Sequence, residues 1–182
     1  MYNIRQKMDY AARMTLPGLV ALLLMLLFSL PIRLAGLADF TPDICLISIY
    51  YWSIFRPGTM PYWFVFLLGL VRDSIAGIAL GMSSLVFILF RLFILSQQRY
   101  FARETFWANW FGFGIAASLA LAVGWVISVI YARALFSIDS VGMQWVFTFG
   151  LYPLLHILFN KLYRYLPQTP GGIKNRQALR QR

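Results

Sequence analysis

Ionisable side chains are scarce in this sequence, and two of them, Arg72 and Asp73, stand side by side in FLLGLVRDSIAGIALG, residues 66 to 81, a stretch otherwise suited to lipid. Near the centre of a bilayer such a group costs roughly 2.5 to 3.5 kcal/mol on insertion scales, so it normally turns into a helix bundle and finds a partner. Adjacent helical positions do not face each other, so these two do not neutralise one another. Arg91, in the next apolar run, lies as far after Met82 as Asp73 lies before it, and the chain is expected to turn near Met82. In an antiparallel hairpin that symmetry sets both at one depth and predicts an Asp73–Arg91 pair. Arg72 must then look to backbone carbonyls, to an acid on a partner protein, or to headgroups by snorkelling.

Gly69, Asp73, Gly77 and Gly81 recur at steps of four. On one helix they share a face along which another backbone can come close. With Arg91 this strip reads either as a polar core inside the bundle or as the surface that meets a partner. The plain alternative is a lock that holds one hairpin together. His156 and Asn160, one turn apart after Pro153, are candidate cavity-lining residues, although a lone histidine in a bundle is more often a satisfied hydrogen-bonding group. Asp39 and Asp43 border the second apolar run, where a solvated loop accounts for them.

Material for catalysis is thin. The six carboxylates stand mostly isolated at the borders of apolar runs, and there is one histidine and one cysteine, Cys45. Neither a nucleophile with its base, nor an acid cluster for a divalent cation, nor a phosphate-cradling glycine loop is visible. No enzymatic activity, cofactor or metal is expected.

The elements that must position these residues are membrane helices. Of 182 residues 60% are hydrophobic and 12% charged, and mean hydropathy is +0.70, outside the balance of a soluble domain. The formal charge of +10 does not argue for nucleic acid, because the basic residues punctuate the ends of apolar runs and so report topology and contact with anionic lipid. The expected fold is all-α, with about six transmembrane helices near 15–34, 41–55, 61–81, 83–97, 107–131 and 142–162. Residues 1–14 are read as an N-terminal interfacial helix, 15–166 as the transmembrane domain and 167–182 as a flexible basic cytoplasmic tail. A cleaved signal peptide is the rival for the first run, which is too long for one. Six spans put both termini in the cytoplasm and leave only Arg33 and Arg133 outside, whereas five spans fit the positive-inside rule less well. Tyr51, Trp52, Tyr62, Trp63, Trp107 and Trp110 fall at the expected cytoplasmic ends, as amphipathic rings favouring the headgroup zone would.

The order TPDICLISIYYW, then RPGTMPYWFVFLLGLVRDSIAGIALGMSSL, then LYPLLHILFNKLYRY resembles the family of the bacterial rod shape-determining protein MreD. The likeness covers roughly residues 40 to 165, and its most specific part is Gly69, Leu70, Asp73, Gly77 and Gly81. Arg72 directly before the acid departs from the family pattern, which leaves its role open. The resemblance implies a non-enzymatic scaffold subunit of the cell-elongation machinery in the bacterial inner membrane. Its implied partners are the scaffold MreC and, with it, the actin-like MreB, the glycosyltransferase RodA and its transpeptidase, which together support lateral peptidoglycan synthesis and rod shape. The family is also similar in fold to the substrate-binding subunits of energy-coupling-factor transporters, which keeps a small-molecule-binding transporter subunit as the alternative.

Overall fold

The computed structural model describes residues 4–29, 42–101, 105–132 and 138–165. These form α1 (Ile4–Ser29), α2 (Ile44–Phe55), a short 3-10 turn (Pro57–Thr59), α3 (Tyr62–Ala76), α4 (Met82–Phe101), α5 (Phe106–Ala132) and α6 (Ile138–Tyr165). The basic stretch before Thr15 and the apolar stretch after it belong to one helix, with Pro17 inside it. The tail from 166 onward, Asp39, Arg33 and Arg133 lie outside the described residues.

α2 sits at the centre, with α1, α4, α5 and α6 packed around it. Every residue from Ile44 to Ile54 is buried, so its sequence is apolar on all faces, as an enclosed helix requires. Its 12 residues span about 18 Å at about 1.5 Å per residue, well short of a bilayer core of about 30 Å. The surrounding helices turn large apolar side chains outward, among them Leu23, Trp63, Trp107, Ile115, Ile130 and Leu154, each more than 60% exposed. Water would penalise such a surface and lipid favours it. Among the described residues two stretches are long and apolar enough to cross a membrane on their own, Phe106–Tyr131 and Asp139–Arg164, at 26 residues each.

α5 and α6 are joined by an indole ladder. Trp110 Nε1 donates to the Phe149 carbonyl at 3.1 Å, Trp145 Nε1 donates to the Gly114 carbonyl at 3.1 Å, and both indoles stack on the Phe149 ring. Each ring thus contributes apolar area while its one polar atom is satisfied inside the bundle. Tyr51 and Trp52 depart from the expectation of a headgroup belt: at 2% and 0% exposure they are core residues, because the helix that carries them is enclosed on every side.

Candidate functional site

The charged residues gather where α2, α4 and α6 begin and α3 ends. Asp43 immediately precedes α2 and caps it, its Oδ1 accepting from Leu46 N at 3.3 Å, while its own backbone N–H donates to Thr148 Oγ1 of α6 at 2.9 Å. Its second oxygen, Oδ2, lies 2.9 Å from Arg72 Nη2. The other arm of that guanidinium, Nη1, donates to Ser83 Oγ at 2.8 Å, and its face lies over the Phe87 ring at 5.4 Å. Ser83 N in turn donates to Asp73 Oδ1 at 3.1 Å, and Gly81 N donates to Asp73 Oδ2 at 2.7 Å. One chain of hydrogen bonds therefore ties α6, α2, α3 and α4 together.

Asp73 is fully buried, and its partners are backbone amides. Ser83 lies in the first turn of α4 and Gly81 immediately precedes it, at a helix start whose unsatisfied N–H groups and dipole favour an anion. The expected Asp73–Arg91 pair is not formed. α3 stops at Ala76, where Gly77 takes the left-handed conformation at φ 66° and its N–H returns to the Asp73 carbonyl. The hairpin therefore turns earlier than Met82, opposing Gly69 to Ser84 and Tyr62 to Arg91. Arg91 is buried lower in the bundle, donating from Nη1 to Ser53 Oγ at 3.0 Å and from Nη2 to the Pro57 carbonyl at 2.8 Å, with the Tyr62 ring 5.0 Å from its guanidinium carbon.

The four-step strip is likewise split. Gly69 is a true close approach: a Cβ there would lie 2.5 Å from Ser84 N, and Ser84 Oγ donates to the Phe66 carbonyl at 2.8 Å. Gly77 and Gly81 touch nothing within 4 Å of a Cβ, and serve the turn by positive φ, 66° and 98°. A helical repeat cannot continue through a chain that has left the helix. Arg72, left without an assigned partner by the sequence, meets Asp43, which the sequence suggested was solvated and which is instead 4% exposed. The signal for that role was present: an aspartate just ahead of an apolar run is the residue type that caps a helix.

A cavity of about 370 Å³ opens beside this network, with Asp43, Arg72, Ser83 and Gln144 on its polar side and Val86, Ala120, Gly124 and Trp125 among its apolar walls. A smaller one of about 70 Å³ lies toward α1 and shares Asp43, Arg72 and Gln144. His156 and Asn160 line neither. His156 sits among the rings of Tyr51, Phe55, Phe106 and Tyr152, at centroid distances of 5.0 to 6.1 Å, and Asn160 is exposed. His, Cys, Asp and Glu form no group of three that could hold a metal ion among the described residues.

The family model for rod shape-determining protein MreD matches residues 10–165. The chain belongs to the MreD family. This identity makes it a rod-shape-determining membrane protein of bacteria and agrees with the lipid-facing exterior of the bundle. Neither a curated protein nor a solved structure matches the chain. In this MreD-family chain the two carboxylates of the network accept hydrogen bonds from main-chain amides and a guanidinium, so what the arrangement does chemically is fix helix ends against one another.

Proposed function

We propose that the chain is a non-enzymatic subunit of the cell-elongation machinery in the inner membrane, which binds an MreC-like scaffold and through it supports lateral peptidoglycan synthesis by RodA, its transpeptidase partner and MreB. The observation that carries this reading is the family match over residues 10–165. In this reading the chain crosses the membrane six times with both termini in the cytoplasm, where its basic residues meet anionic lipid. Asp43, Gly69, Arg72, Asp73 and Arg91 form the internal polar core that holds its shape, and the turn carrying Gly77 and Gly81 is presented outward. Recognition in lipid then falls to the exposed apolar helix faces, where packing and occasional hydrogen bonds contribute up to about 2 kcal/mol each.

Depletion of the chain from its native host tests the proposal. Cells should round up, sidewall incorporation of labelled peptidoglycan precursor should fall, and a tagged copy should restore rods and co-purify the MreC-like protein. Rods that persist through full depletion, with no such protein retained by the tagged copy, would remove the reading. A second reading, a solute-binding transporter subunit of energy-coupling-factor type, is favoured by one observation, the cavity of about 370 Å³. A vitamin-sized solute bound with a saturable isotherm by the purified chain would support it.

A further inference from the structure

The two cavities share one partition, made of Asp43, Arg72 and Gln144. Asp43 and Arg72 pair with each other at 2.9 Å, so the ionised part of the wall carries no net charge. Gln144 is half-buried at this wall, and its side-chain amide makes no hydrogen bond among the described residues. An amide has two donor protons and two acceptor lone pairs, so this one can meet a ligand group of either hydrogen-bonding sense. Beyond the partition the larger cavity turns apolar along Val86, Ala120, Gly124 and Trp125. Its breadth follows from α5, which supplies Ala120, Gly124 and Ser128 at steps of four and so puts little side-chain volume toward α4. A volume of about 370 Å³ is in the range of small-molecule sites, and walls of this kind suit an apolar body better than water.

We propose that this cavity binds a single-chain amphiphile with an uncharged, hydroxyl- or amide-bearing head, the head held at Gln144 and the Arg72–Asp43 pair and the apolar body lying along α5 between Ala120 and Gly124. The head is uncharged because an anion would compete with Asp43 for Arg72, and a cation would compete with Arg72 for Asp43. Either would break an ion pair whose acid is buried and whose guanidinium is only partly open to solvent. It carries both donors and acceptors because the partition offers both. The cavity of about 70 Å³ behind the partition has room for roughly two waters, which extend the polar contacts of the head. The inference is independent of the partner reading, since it concerns the inside of the bundle.

The test is native mass spectrometry of the full chain in detergent, titrated with monolauroylglycerol and with its anionic and cationic counterparts, laurate and dodecylamine. The proposal expects a saturable adduct of one monolauroylglycerol per chain, at least tenfold tighter than either charged probe. Gln144→Leu, which removes the amide, and Gly124→Leu, which fills the apolar part, should each weaken that adduct tenfold or more. Both variants are read only against unchanged helical circular dichroism and elution volume; should one fail to fold, the other carries the test. Equal affinity for the three heads, adducts that climb without saturating, or a folded variant that binds as the parent does would each overturn the proposal. Loss of the adduct in Gln144→Leu with the MreC-like protein still co-purifying separates this site from the partner reading.

Discussion

The two ends of the bundle are held by different physics. Where α2, α4 and α6 begin, charged and hydroxylated side chains satisfy helix termini: Asp43 caps α2, Asp73 meets the first amides of α4, and Arg72 bridges them through Ser83. At the opposite end Tyr51, Trp52, Phe106, Tyr152 and Phe159 pack ring on ring around His156, and broad contact area is added to the bonds that Arg91 makes to Ser53 and the Pro57 carbonyl. A polar end held by few, exact contacts should fail sharply when one is removed. An aromatic end spreads its cohesion over many contacts and should yield gradually.

Substitutions graded along this contrast make it breakable. The largest effect is expected at Gly69→Val, whose side chain would collide with the Ser84 backbone; the loss should exceed about 3 kcal/mol in denaturant titrations of the detergent-solubilised chain, or leave no folded protein. Asp73→Ala comes next, orphaning the buried amide of Ser83 at a cost of about 1 to 3 kcal/mol and the part-buried amide of Gly81 at a smaller one, and Asp73→Asn should recover part of it by keeping one acceptor oxygen. Arg72→Ala should cost less, about 1 to 2 kcal/mol, because its side chain is 30% exposed and water screens and partly replaces what is lost. Smallest of all is His156→Phe, expected within about 1 kcal/mol of the parent because the new ring stays in the aromatic cluster and the site is only half-buried, so its extra volume has room to settle. A His156→Phe loss larger than that of Asp73→Ala would reverse the comparison.

The helices and their order could be read from the sequence because apolar runs bounded by prolines or basic residues repeat along the chain. The polar site was only half legible. Burial of Asp73 follows from its setting in an apolar run, but its partner depended on where α3 ends. The break at Gly77 turns on a left-handed φ that the four-residue spacing disguised as one more step of helix. The same ambiguity moved Arg91 away from Asp73 and toward Ser53 and Pro57, because shifting a hairpin's turn slides every cross-helix partner along the opposing helix. Asp43 reads as a loop residue in the sequence because, ahead of a helix as short as α2, a cap and a loop acid look alike until the neighbouring Arg72 closes over it. The cavity had no sequence signature beyond small residues on α5, which packing could equally have filled.

Asp73 locks the α3–α4 hairpin through the helix terminus it faces, while Arg72 and Asp43 form the ion pair. Paired double-mutant cycles on unfolding of the detergent-solubilised chain test it most directly, one with Asp73→Asn and Arg91→Met, the other with Asp43→Asn and Arg72→Met. Coupling should be within about 0.5 kcal/mol for the first pair, as for residues with no shared partner, and above about 1 kcal/mol for the second. Strong coupling between Asp73 and Arg91 with none between Asp43 and Arg72 would contradict it.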